Sequence, residues 1–110
     1  MKLEQGKVAF VTGGAHGIGR AAAVMLAQRG LSVISFDKDS SANRELEQTN
    51  TGIYGIDCDC EDMVQIRESF CRAIELFGRV DILVNNAGGF VLSSFMKDSF
   101  ETGLRGLEQM

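Results

Sequence analysis

Short apolar runs alternate along this chain with longer stretches in which apolar residues recur every three or four positions. Lys7 to Thr12 (KVAFVT) has no polar alternation and ends in a cluster of glycines, which predicts a strand covered on both faces. Ile18, Ala22, Met25 and Leu26 then fall at helical spacing between Ile18 and Arg29, and Gly30 stands where that helix would stop. Leu31 to Asp37 (LSVISFD) predicts a second strand, Ser40 to Gln48 a polar helix, and Gly52 to Asp57 a weaker third strand. Met63, Ile66, Phe70, Ile74 and Phe77 keep steps of three or four residues and predict a helix with one apolar face, capped by Asp59 and closed by Gly78. Asp62 would sit at the positive end of its dipole. Asp81 to Asn86 (DILVNN) is the fourth strand and runs into Ala87-Gly88-Gly89. Beyond it, Ser99 is placed to cap a short helix that Gly103 and Gly106 would each weaken by roughly 1 kcal/mol, so the tail from Phe90 to Met110 reads as irregular or a short helix.

Strands joined by helices of ten or more residues imply parallel pairing through right-handed crossovers. The expected fold class is therefore α/β, a doubly wound parallel sheet with helices on both faces. The 110 residues suit one domain. With 45% hydrophobic residues, 24% charged residues and no proline, disordered, collagenous and disulfide-scaffold classes are excluded. The 11 Lys and Arg are scattered among 15 Asp and Glu, for a net charge of -4, which gives no basic face for nucleic acid. Val8-Ala9-Phe10-Val11 is far short of the roughly 20 apolar residues of a membrane span, and the first six residues lack the apolar core of a secretion signal. Three cysteines, an odd number, point to reduced thiols and a cytoplasmic setting.

Two groups invite a metal reading and do not sustain it. Cys58 and Cys60 with Cys71 lack the second ligand pair of a structural zinc site, and the one histidine, His16, lies in the glycine loop. The acidic cluster Asp57, Asp59, Glu61 and Asp62 reads as a helix start carrying negative charge. No metal site is expected. Phe90, Phe95 and Phe100 read as core packing rather than a pocket rim.

The chemistry resides in Thr12-Gly13-Gly14-Ala15-His16-Gly17-Ile18-Gly19, between the first strand and the first helix. Glycines let the chain turn tightly and approach a ligand, and the helix that follows offers unpaired N–H groups to a pyrophosphate. The spacing of Thr12, Gly13, Gly17 and Gly19, together with Asn85-Asn86-Ala87-Gly88 after the fourth strand, resembles the two signatures of the short-chain dehydrogenase/reductases. That resemblance implies a partial Rossmann-like sheet of about four strands in the order 3-2-1-4, with the motif region at residues 7–89. It implies that Gly13, His16, Gly17, Ile18 and Gly19 surround the pyrophosphate. It implies that Asp37, eighteen residues past Gly19, takes the adenosine ribose hydroxyls. A carboxylate there repels a 2′-phosphate, so NAD(H) is favoured over NADP(H), with the basic groups of His16 and Lys38 offsetting part of the repulsion. By the same resemblance Asp57 and Cys58 contact the adenine and Asn86, Ala87 and Gly88 lie beside the cofactor's ribose, while Asn85 ties strands together.

The family's chemistry uses a Tyr, a Lys four residues later and a Ser. The one tyrosine here is Tyr54, followed four residues on by Cys58. The positions fifteen and twenty-two past Gly88, where the family carries an aromatic residue and an Asn, are Gly103 and Met110. No catalytic residue is therefore expected among the 110. The chain is expected to be a truncated or frameshifted member that binds a nicotinamide dinucleotide and does not turn over by itself. Its fourth strand, Ile82-Leu83-Val84, would be an exposed edge open to self-association. A non-enzymatic module that binds the nucleotide or a partner, and a degenerate gene product, are the alternative readings.

Overall fold

The computed structural model describes residues 6–86. Ala87, Gly88 and the tail features at Phe90, Phe95, Ser99, Phe100, Gly103 and Gly106 lie outside the described residues. Seven elements follow in alternation: β1 (Val8–Thr12), α1 (Gly17–Gln28), β2 (Ser32–Asp37), α2 (Ser40–Thr49), β3 (Ile53–Asp57), α3 (Met63–Phe77) and β4 (Ile82–Asn85). All pairings are parallel and the strand order is β3-β2-β1-β4, as the sequence pattern and its resemblance imply.

All five residues of β1 are buried because it is a central strand with helices over both faces. Its side chains divide by parity. Val8 and Phe10 join Ile34, Phe36, Ile66, Phe70 and Ala73 in a core beneath α3, while Ala9 and Val11 join Ala23, Leu26, Val33 and Leu46 beneath α1 and α2. The rings of Phe10, Phe36 and Phe70 meet pairwise with centroids 4.6 to 5.2 Å apart, which adds about 0.5–1.5 kcal/mol per pair to their burial.

Three local expectations are corrected. In α1 the residues against the sheet are Gly19, Ala23 and Leu26, whereas Ile18 is 80% exposed and Met25 is also exposed. Small residues let this helix lie close to the strands, so the seam runs one position beside the apolar stripe. In α3 the buried set is Ile66, Phe70 and Ala73, and Met63 and Ile74 face outward. The cap of α3 is Asp62, whose Oδ1 accepts the N–H groups of Val64 and Gln65 at 3.0 and 3.2 Å. Asp59, the expected cap, instead organises the preceding turn, accepting Glu61 N–H on its carboxylate and Asp62 N–H on its carbonyl.

β4 pairs with β1 from Ala9↔Ile82 to Thr12↔Asn85. Among the described residues it has no strand on its other side, and Ile82, Leu83 and Val84 are half-buried. No helix among the described residues is long and apolar enough to cross a membrane.

Candidate functional site

The glycine loop leaves the carboxyl end of β1, the end at which open α/β sheets bind their ligands. Gly17 has φ +55°, in the region that side-chain-bearing residues avoid, and a Cβ there would meet nothing within 4 Å. The loop is thus shaped by glycine and open on its outer side. Gly19 is the opposite case. A Cβ on it would overlap the Gly13 carbonyl and stand 2.7 Å from Asn86 Nδ2, so this glycine is needed for close approach. Asn86 Nδ2 donates to the Gly13 carbonyl at 3.3 Å, and Asn86 N–H donates to Thr12 Oγ1 at 2.9 Å. Gly13, Gly19 and Asn86 are therefore brought together from both signature segments, and Thr12 Oγ1 reaches Asn85 Oδ1 at 3.4 Å across the β1–β4 pair.

The three helices begin differently. Asp39 caps α2 by accepting Ala42 N–H, and Asp62 caps α3. His16 precedes α1 with extended backbone and no side-chain cap, and the first turn of α1 carries no acidic residue. Its leading N–H groups and positive dipole end therefore meet no anion from this chain's own cap.

Asp37 closes β2 and faces the loop. Its Oδ2 accepts Ala15 N–H at 3.2 Å and its Oδ1 accepts Asp39 N–H at 3.0 Å, so among the described residues two of its roughly four acceptor positions are used. His16 Nε2 lies 2.8 Å from Asp39 Oδ2. The Ala42 N–H and then the His16 ring hold the Asp39 carboxyl below its ordinary value of 3.8. The loop is thus held to the β2–α2 turn by two contacts side by side.

Beside these groups is a cavity of about 210 Å³ lined by Gly13, Asp37, Lys38, Cys58, Asp59, Cys60 and Glu61. It is smaller than the roughly 300–1,000 Å³ of a complete small-molecule pocket, which suits one portion of an extended ligand. Cys58, expected from the resemblance to contact the adenine, is among its lining residues. Asp57 is not among its lining residues and its side chain goes to α2: Oδ1 accepts Asn43 Nδ2–H at 3.0 Å and Arg44 Nη2–H at 3.5 Å. The Asn43 amide is the main reason the Asp57 carboxyl is held below its ordinary value. Asp59 and Cys60, which the sequence analysis read as a helix cap and a discounted metal ligand, stand on the cavity wall. β3 ends at Asp57, where the sequence pattern puts its end, and the wall is made by the segment that follows the strand.

Sequence reasoning also missed Asn43. It is fully buried on α2, donates from Nδ2 to the Asp37 carbonyl at 3.0 Å as well as to Asp57, and accepts the Ser35 hydroxyl on Oδ1 at 3.1 Å. This amide joins the ends of β2 and β3 behind the site. Its signal was weak, a single Asn in a polar helix, three positions past Ser40.

The sequence matches the short chain dehydrogenase family over residues 7–105. It is 43% identical over 91 residues to human 15-hydroxyprostaglandin dehydrogenase (NAD(+)), covering 76% of this chain and 34% of that protein. To the rabbit (Oryctolagus cuniculus) L-fucose dehydrogenase it is 35% identical over 105 residues, 96% of this chain and 37% of that protein. Among solved structures, a short chain dehydrogenase from Bacillus anthracis superposes with TM-score 0.71 at 30% identity, over 76% of this chain and 35% of the other. A 3-ketoacyl-(acyl-carrier-protein) reductase from Brucella melitensis, complexed with NADH, superposes with TM-score 0.68 at 27% identity, over 73% and 34%. The chain spans about a third of the length of the curated relatives it matches.

Proposed function

The chain belongs to the short-chain dehydrogenase family, and from that premise we propose that it is the NAD(H)-binding portion of an oxidoreductase that moves hydride between a nicotinamide and a hydroxyl or carbonyl compound. The observation that carries this reading is the contrast among helix starts: α2 and α3 are capped by aspartates, whereas α1, behind the glycine loop, is left open for an anion. The open space at Gly17 and the close packing of Gly19 on Gly13 make a cradle that a side chain would fill, which fits a pyrophosphate. Supporting it from outside the chain, the human relative carries NAD(+) in its name and the Brucella reductase is complexed with NADH.

In this reading the N–H groups at the start of α1, from Gly17, Ile18 and Gly19, hold the pyrophosphate. Asp37 accepts the adenosine ribose hydroxyls. The cavity of Cys58, Asp59 and Cys60 takes the adenine side, and Asn86, Ala87 and Gly88 border the second ribose. The bound nicotinamide supplies the hydride chemistry. NAD(H) is preferred to NADP(H) because the Asp37 carboxylate would repel a 2′-phosphate, with the basic groups of His16 and of Lys38 on the cavity wall offsetting part of that repulsion. The 110 residues contain no Tyr-x-x-x-Lys, so the chain binds the dinucleotide without turning it over.

Calorimetric titration of the purified chain with NADH and NADPH tests this. Hydrogen bonds to a charged group contribute about 1.5–3 kcal/mol, so Asp37→Ala should weaken NADH binding by roughly 10- to 150-fold. Unchanged NADH affinity in that variant, or tighter binding of NADPH by the parent chain, would refute the assignment of Asp37. A dehydrogenase rate that survives removal of trace full-length enzymes would refute the absence of turnover.

A further inference from the structure

β3 ends the sheet on the side away from β4, and among the described residues no strand lies beyond it. Val33 N–H donates to the Gly52 carbonyl at 2.8 Å and Cys58 N–H to the Asp37 carbonyl at 3.0 Å, so the even-numbered residues turn their main-chain groups toward β2. Main-chain groups alternate in direction along a strand, so Ile53, Gly55 and Asp57 turn theirs outward. These three residues form the row on which a further strand would pair, and Gly55 is its middle member.

That middle place is already taken by α2. Glu47 Oε1 accepts the Gly55 N–H at 2.6 Å, and Arg44 Nη2–H donates to the Gly55 carbonyl at 2.9 Å. The two side chains stand one helical turn apart and are joined to each other at 3.1 Å, while Arg44 Nη2 also lies 3.5 Å from Asp57 Oδ1. Only glycine permits this approach, since a Cβ on Gly55 would stand 2.7 Å from Asn43 Cβ and 2.9 Å from Arg44 Nη2. Neither Arg44 nor Glu47 lines the nucleotide cavity, so their role is independent of that reading.

We propose that Arg44 and Glu47 form a plug on the outer edge of β3, which closes that edge to strand addition by a second copy of this chain. Hydrogen bonds to charged groups are roughly twice as strong as neutral ones. The plug is also held in place by the neighbouring helix, whereas an arriving strand gives up its free translation and rotation. With Gly55 occupied, the remaining outward residues Ile53 and Asp57 are about 13 Å apart along the strand, too far to make a continuous ladder. A second copy is the partner guarded against because the edge is self-complementary. Antiparallel pairing about a two-fold axis at Gly55 lets the two Gly55 residues exchange both their hydrogen bonds. It also sets Tyr54 of one copy, 47% exposed, against Ile56 of the other.

Amide exchange paired with sedimentation over a range of chain concentrations tests the plug. The Gly55 N–H should exchange roughly 10- to 150-fold faster in Glu47→Ala than in the parent chain, the change expected for losing a bond to a charged acceptor. Glu47→Gln, which keeps an oxygen acceptor, should restore most of the protection. The double variant Arg44→Ala/Glu47→Ala should gain a dimerisation step that the parent lacks, and its Gly55 amide should recover protection as concentration rises. Tyr54 and Ile56, whose N–H groups point toward β2, should stay protected throughout and report that the strand is folded. Association of the parent through another edge is common to all these chains and leaves Gly55 exchange unchanged. Equal Gly55 exchange in the parent and Glu47→Ala overturns the proposal, as does a folded double variant that gains no dimerisation step. If the double variant loses the protection of Tyr54 and Ile56, Glu47→Ala alone must show both the dimer and the concentration-dependent protection of Gly55, and its failure to do so overturns the proposal equally.

Discussion

Replacing Asn43 by Leu tests whether one buried amide holds the ends of β2 and β3 in place. The substitution keeps a buried side chain of similar size and removes the short hydrogen bonds to Ser35, the Asp37 carbonyl and Asp57. The consequences differ by partner. The Asp37 carbonyl still accepts Cys58 N–H at 3.0 Å, so it loses about 0.5–1.5 kcal/mol of net bonding and is not orphaned. Asp57 is 45% exposed at its side chain and can be hydrated, so its loss is small. Ser35 is fully buried and its hydroxyl is left facing a methyl group, which costs about 1–3 kcal/mol. The sum is about 2–4 kcal/mol. With a urea slope of about 1–2 kcal/mol per molar, the unfolding midpoint followed by circular dichroism should fall by about 1 M or more.

Two internal checks sharpen that expectation. Adding Ser35→Ala to Asn43→Leu removes the orphaned hydroxyl and should recover about 1 kcal/mol, although Ser35→Ala in the parent chain is destabilising. The pH dependence has a definite sign. Because the Asn43 amide lowers the folded-state Asp57 carboxyl below its ordinary 3.8, its contribution is present above about pH 4 and is lost as pH falls through the lowered value. The penalty of Asn43→Leu should therefore be larger at neutral pH than at pH near 3. A penalty under about 0.5 kcal/mol at neutral pH, or no recovery from Ser35→Ala, would refute the account of this amide.

Asp62→Ala removes the cap of α3 and should cost about 1 kcal/mol in thermal or urea unfolding, and a change of only a few tenths would assign the capping elsewhere. Gly19→Ala drives a Cβ into the Gly13 carbonyl and against Asn86, so it should cost about 1–3 kcal/mol and abolish measurable NADH binding. Wild-type affinity in that variant would show that the loop does not approach the helix as described.

The parallel sheet and its strand order were legible because both faces of β1 and β2 are covered, and a strand with two buried faces reads as an unbroken apolar run. The glycine loop was legible because its spacing is dictated by backbone conformation and close approach. The helix faces were less so. A helix that lies close to a sheet does so through Gly19 and Ala23, residues whose small size carries little hydrophobic signal, while Ile18 looks like core and is exposed. Asn43 was hidden for the opposite reason: its burial depends on Ser35, Asp37 and Asp57, which no local pattern brings together. The end of β3 at Asp57 was legible, but the placing of Asp59 and Cys60 on the cavity wall was not, because it depends on the turn that follows the strand.

The position of β1 at the middle of the sheet also governs the order in which the molecule assembles. Thr12 lies opposite Phe36, 24 residues on, and opposite Asn85, 73 residues on. Closing the longer loop costs about 1 kcal/mol more in chain entropy, so β1 and β2 associate first and β4 docks late. Until then one side of β1, an all-apolar strand apart from Thr12, presents unpaired N–H and C=O groups. A newly made chain therefore passes through a stage in which its most hydrophobic strand is its edge, and strand-to-strand aggregation competes there with the docking of β4. Faster docking of β4 shortens that interval, so the Val8 N–H bond to the Asp81 carboxylate, at the entrance to the β1–β4 pair, bears on folding yield as well as on the finished structure.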